Sequence, residues 1–257
     1  MTKHVLVEKS EKLLVLTLNR TDKKNALTRA MYQTLATEIA NADTDPSIRC
    51  ILVLANGDMF TAGNDLSDFA AVGNAAAAPT PTDANPLLAA LARARTPIVA
   101  AVNGRAVGVG VTMLLHCDMV LVAEDALLTT PFVNLALVPE AASSLLMPLR
   151  IGHVRAFEMF VLGEPVNAEK AVSWGLANRT VPAAELRAAA RATAAAIAAR
   201  APAAVVSTKS LMREEAVLLA RMSQESVHFV KQLKSAEFKE AFTAFSERRA
   251  PDFSKFA

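Results

Sequence analysis

Apolar and polar positions alternate from the start of the chain. Residues 4–9 and 13–19 read as paired strands, with the polar run Glu8 to Lys12 turning between them and the loop RTDKKNAL following. Thr28 stands where a helix N-cap is needed, ahead of a helix-period stretch from about Arg29 to Ala42 that Asp45-Pro46 closes. CILVLANGD and PIVAAVNG are continuous apolar runs, each stopped by Asn-Gly, as expected of strands buried on both faces. Such strands predict an α/β core whose active groups sit beyond the strand ends. From about Ala183 the pattern is almost wholly helical, with Arg187, Arg191 and Arg200 at helical spacings. The chain therefore divides into an α/β core with the site (1–182) and a helical C-terminal segment (183–257). Between the two Asn-Gly strands, AAVGNAAAAPTPTDANP is rich in Ala and Pro and reads as a surface loop, either a lid or an inert connector.

Composition narrows the function. Of 257 residues, 53% are hydrophobic and 20% charged, and the excess apolar surface points to a subunit interface. A net charge of +2 without a basic run argues against nucleic acid. The apolar part of Ala106 to Cys117 is too short to span a bilayer, and the N-terminus carries no export signal. Cys50 and Cys117 each lie in an apolar segment, so buried thiols in a reducing, cytoplasmic setting are expected. His4, His116, His153 and His228 have no metal-ligand spacing; no metal site is expected, and His116 reads as a packed core residue.

Few groups are left to carry chemistry. VNGRAVGVG holds Gly104, Gly108 and Gly110 but lacks the Lys-Ser/Thr of a phosphate loop, and Met113 breaks the dinucleotide fingerprint. The glycines read instead as letting backbone amides approach a ligand closely. Asp65 and Asp68 are candidate acids, although Asp65 after Gly63-Asn64 also suits a helix N-cap. Glu140 is the single charged residue between Asp125 and Arg150. Burial raises a lone carboxylate's pKa toward the range a general base requires. The alternative is that Pro139-Glu140 opens a helix, where an acid meets the dipole favourably.

FTAGNDLSDF, VNGRAVGVGVTMLLHCD, TTPFVNLALVPEAASS and FTAFSERR resemble, in that order and spacing, the enoyl-CoA hydratase/isomerase (crotonase) superfamily. The resemblance implies an α/β spiral of ββα units with C-terminal helices that build a homotrimer or dimer of trimers. It also implies an acyl-CoA thioester as substrate, with no separate cofactor, and an oxyanion hole from the Ala62 and Val109 amides. Hydratases of the superfamily carry two glutamates where this chain has Thr112 and Phe132. Glu140 instead resembles the single glutamate of the peroxisomal-type Δ3,Δ2-enoyl-CoA isomerases, from which the chain departs by Ala62 for Ser and Ala141 for Gly. Isomerisation of a 3-enoyl-CoA to a trans-2-enoyl-CoA in fatty-acid oxidation is the implied activity; a hydratase or other acyl-CoA lyase, or a non-catalytic acyl-CoA-binding scaffold, are the alternatives. Asp65, Leu66, Phe132 and Leu135 are implied pocket residues, with Val133 and Leu137 completing an apolar wall. Lys23 and Lys24 match the passage of the CoA phosphates, while Phe245 and Arg248 match groups that reach CoA from a neighbouring subunit.

Overall fold

The structure, a computed structural model, describes residues 3–65 and 85–256. Leu66, Asp68 and residues 70–84 of the Ala/Pro stretch lie outside the described residues. β1 (Val5–Ser10) and β2 (Leu13–Leu18) pair antiparallel with Ser10 opposite Leu13. Glu11 and Lys12 alone make the turn, with φ values of 53° and 68°, the double left-handed conformation that suits the twist of a two-residue hairpin.

Thr28 accepts a hydrogen bond from Met31 N and starts α1 (Arg29–Ala42) where the pattern places it. Next come β3 (Cys50–Ala55), α2 (Pro86–Arg93), β4 (Ile98–Val102), β5 (Arg105–Val107) and the one-turn helix α3 (Val109–Thr112). β6 (Met119–Ala123) and β7 (Leu127–Thr129) lead to α4 (Ser143–Ile151), α5 (His153–Val161), β8 (Val166–Asn167), α6 (Ala168–Trp174) and β9 (Arg179–Val181). The last four helices are α7 (Leu186–Ala198), α8 (Pro202–Leu211), α9 (Glu215–Leu233) and α10 (Ala236–Ser246). The strands form a six-stranded sheet ordered β1-β2-β3-β4-β6-β9, parallel after the first hairpin, and a three-stranded sheet β5-β7-β8.

The continuous apolar runs are explained by two covered faces. Leu14, Leu16, Ile51 and Val53 face Leu35 and Ile39 of α1 and Leu87 and Leu91 of α2 in the main core. Their neighbours Leu13, Val15, Leu52 and Val99 face Leu186, Ala190, Ala194 and Ala198 of α7, four residues apart on one stripe. The division at residue 183 therefore marks a change of secondary structure and not a break in packing, since α7 forms the second face of the sheet. Lys209 of α8 is anchored by donating to Asp118 Oδ2 at 2.7 Å and Thr96 O at 2.9 Å. Among the described residues no helix is long and apolar enough to cross a membrane.

Candidate active site

The two glycine-bearing segments meet as a short parallel bridge. Thr61 N donates to Arg105 O at 3.1 Å and Val107 N to Thr61 O at 3.0 Å, joining Thr61 to Ala106. Only glycine allows this approach at two positions. Gly63 sits at φ 91°, and a Cβ there would lie 2.9 Å from Val107 O. A Cβ on Gly110 would lie 2.3 Å from Thr61 Cγ2, and Thr61 cannot swing aside without losing the bonds its Oγ1 makes to Asn25 O and from Gly63 N.

The bridge corrects one predicted site residue. Ala62 N donates to Lys24 O at 2.9 Å, so this amide is committed to the loop beside it and does not face a ligand. In the same turn Gly63 N is held by Thr61 Oγ1, and Asp65 N by Leu27 O. Asn64 N, by contrast, meets no acceptor among the described residues, and neither does Val109 N at the start of α3. The left-handed turn at Gly63 sends the two flanking amides different ways: Ala62 N into the Lys24 carbonyl and Asn64 N away from any acceptor among the described residues.

α3 also reaches Glu140. Thr112, its last residue, donates from Oγ1 to Glu140 Oε1 at 2.7 Å. One turn of helix thus presents the Val109 amide at one end and the Glu140 partner at the other, about 4.5 Å apart along its axis. The position where hydratases carry a carboxylate here orients one. Glu140 itself is half-buried. Loss of hydration pushes its carboxyl up to about 7; the Thr112 hydroxyl opposes this, and the nearby Glu225 charge adds to it.

The helix-opening alternative for Glu140 fails on position. α4 begins at Ser143, after Ala141 at φ 66° and Ala142 at φ 55°. Two consecutive alanines in the left-handed region cost roughly 1–2 kcal/mol each, so Ala141 reproduces the turn that glycine would make without its conformational ease. The amides at the helix start are capped from elsewhere. Glu225 of α9 accepts from Ala142 N at 2.6 Å and from Ser144 N at 2.8 Å. Glu225 is not among the residues the motifs single out, yet the sequence carries a signal for it: it falls on the apolar stripe Leu218, Met222, Phe229, Leu233, at spacings of three and four.

The other predicted residues are distributed around this centre. Asp65 accepts from Arg20 at 2.6 Å in a largely buried ion pair; its N-cap alternative falls on positions outside the described residues. Lys23 is exposed in the turn beside Ala62, and Lys24 pairs with Asp58 at 2.5 Å. Phe132 and Leu137 are buried in the main core, Phe132 against Phe160 with ring centres 5.9 Å apart. Leu135 is half-buried and Val133 exposed, on the turn that α10 packs against. Phe245 and Arg248 lie on the surface at the end of α10, and no contact described within one chain joins them to Glu140.

The chain is similar to known proteins in sequence and fold. A family model described as enoyl-CoA hydratase/isomerase matches residues 8–255. The 2,3-dehydroadipyl-CoA hydratase of Escherichia coli is 32% identical over 252 residues, covering 97% of this chain and 98% of that protein. The 1,2-epoxyphenylacetyl-CoA isomerase of the same organism is 34% identical over 181 residues, 68% of this chain and 69% of that protein. A crystal structure of an enoyl-CoA hydratase/isomerase from Pseudoalteromonas atlantica superposes with a TM-score of 0.91 at 44% identity, covering 98% of this chain and all of that one. Pseudomonas aeruginosa OdaA follows with a TM-score of 0.87 at 41% identity, over 95% and 99% of the two chains.

Proposed function

The chain belongs to the enoyl-CoA hydratase/isomerase family, and on that footing we propose that it is an isomerase which converts a 3-enoyl-CoA into the trans-2-enoyl-CoA, with Glu140 as its only proton shuttle. The observation that carries this reading is the Thr112–Glu140 hydrogen bond at 2.7 Å. It puts a hydroxyl where a hydratase has a carboxylate, and uses that hydroxyl to aim the Glu140 carboxylate. Phe132 occupies the second hydratase position and is buried against Phe160.

In the proposed reaction Glu140 removes a proton from C2, and the electron pair moves into a dienolate whose charge rests on the thioester oxygen. The same carboxyl returns the proton to C4, so no atom is gained or lost. The Asn64 and Val109 amides are the proposed oxyanion donors; two such preorganised donors stabilise the charged intermediate by several kcal/mol. With a carboxyl pushed up to about 7, Glu140 is strong enough to take the proton and weak enough to give it back near neutral pH. Lys23 and, from a neighbouring subunit of a trimer or dimer of trimers, Phe245 and Arg248 are the proposed CoA contacts. Exposed Leu149, Val154 and Phe157 on α4 and α5 support the assembled state.

Hydration is the competing reading, favoured by a full-length relative that is a hydratase by name. Incubating the protein with trans-3-hexenoyl-CoA and with crotonyl-CoA separates the two. Isomerisation creates a conjugated thioester, read by ultraviolet absorbance with no change of mass, whereas hydration adds the mass of water. The expected result is rapid conjugation of the first substrate and hydration of the second slower by at least about a hundredfold, the low end of what acid–base groups contribute. Comparable rates would make the protein a hydratase.

A further inference from the structure

The peptide that follows Glu140 is held by two side chains remote from it in sequence, one of them backed by a third. Its carbonyl, Ala141 O, lies 2.7 Å from His116 Nε2, and because a carbonyl only accepts, that nitrogen carries the proton. His116 Nδ1 lies 2.5 Å from Arg213, which also donates to His116 O at 3.1 Å and to Leu91 O at 3.0 Å. The guanidinium only donates, so Nδ1 is bare and the imidazole neutral; burial, with Arg213 behind it, pushes its pKa down to about 3. On the other side Glu225 receives the Ala142 and Ser144 amides. Ala141 and Ala142 are the strained left-handed pair, and such strain persists only where surrounding groups over-determine it. A helix cap needs neither two strained alanines nor a buried histidine on the preceding carbonyl.

We infer that Glu225, opposed by His116, is a positioning residue for Glu140: it locks the Ala141–Ala142 turn so that the neighbouring carboxylate stays on Thr112 and in line with the substrate's α-carbon. This rests on the proposed role of Glu140 as base. Glu225 acts in two ways. Its bonds fix direction, and its negative charge, beside Glu140, opposes ionisation of the base and keeps it strong. The charged and titratable groups around the pair are few: Thr112 of α3 and Glu225 bear on Glu140, while Arg221 and the Ser144 hydroxyl and amide bear on Glu225. The neutral His116 faces the turn from the segment after α3, with Arg213 behind it.

The test is kcat and the pH dependence of kcat/KM on trans-3-hexenoyl-CoA for wild type, Glu225→Gln, Glu225→Asp and Glu140→Gln. Glu225→Gln removes the charge and forces an amide N–H toward one of two N–H donors. It is expected to lower kcat by about ten- to a hundredfold with KM little changed, the scale of a misplacement near 1 Å, and to move the acid limb to lower pH. Glu225→Asp keeps the charge but shortens the reach, so its acid limb stays near wild type while kcat falls. Glu225→Gln combined with Ala142→Gly, which relieves one left-handed alanine, recovers folding without restoring the charge and therefore keeps the displaced limb. Glu225 variants that only melt lower, with kcat and acid limb unchanged, would reduce Glu225 to a helix cap. If Glu140→Gln is inactive in that case, only this inference falls; if Glu140→Gln isomerises at the wild-type rate, the base itself has been misassigned.

Discussion

Glu140→Gln is expected to stabilise the protein while disabling it. Glu140 starts from an ordinary 4.5 and is pushed up to about 7 in the folded chain. Between these values the folded state binds the proton more tightly than the unfolded one, so stability falls as pH rises through this window, and the whole cost is present above about pH 8. At about 1.4 kcal/mol per pH unit the cost reaches about 3 kcal/mol, an upper limit because Glu140 is only half-buried. Glutamine carries no charge and still offers an oxygen to the Thr112 hydroxyl. Urea or thermal melts of both proteins should therefore show the variant more stable at pH 8 by up to about 3 kcal/mol, or roughly 5–10 °C in Tm for a chain of this size. At pH 5 the difference should shrink below about 1 kcal/mol. Isomerase turnover should drop by about two to four orders of magnitude with acyl-CoA binding retained. A variant less stable by roughly 0.3–1 kcal/mol at both pH values, with turnover intact, would refute this and return Glu140 to the role of a charge at a helix start.

Thr112→Val removes a hydrogen bond that favours the Glu140 carboxylate, so the acid limb of kcat/KM should move above its wild-type position, opposite to Glu225→Gln. Gly63→Ala places a methyl 2.9 Å from Val107 O at φ 91°; with backbone on the other side it cannot yield, and activity should be lost with a destabilisation of more than about 1 kcal/mol. Lys209→Met removes the buried ammonium that joins Asp118 to the Thr96 carbonyl; because Asp118 is itself exposed and keeps its bond from Ile98 N, urea denaturation should show a loss of roughly 1–2 kcal/mol.

What the sequence made legible depended on whether the determining contacts were local. The hairpin, the Thr28 cap and the buried strands rest on neighbours in the chain, so alternation and capping chemistry were enough to place them. Glu140 stood out because one charge in a long apolar stretch is conspicuous without any structure. Ala62 and Asn64, two residues apart in one turn, could be told apart only by the Lys24 carbonyl, which lies 38 positions from Ala62 and takes its amide. The boundary at residue 183 was drawn from helix content, which carries no information about which helix covers the second face of the sheet.

The same distinction bears on how the site is built. Thr112 and Glu140 lie 28 residues apart, His116 and Ala141 25 apart, and Glu225 and Ala142 83 apart. A carboxylate in an apolar setting gains basicity by losing water, but that same loss leaves it free to collapse onto the nearest donor. Basicity and aim are therefore competing demands, and a local turn alone cannot meet both. Here the turn is placed in a strained conformation that local preferences disfavour and is then held from one side by His116, earlier in the chain, and from the other by Glu225, which arrives late. α9, whose apolar stripe packs Leu218 against Ala142 and Ala92, brings Glu225 with it. On the inference that Glu225 positions Glu140, the C-terminal helices belong to the chemistry as well as to the surface, and the proposed base is aimed only once α9 has docked.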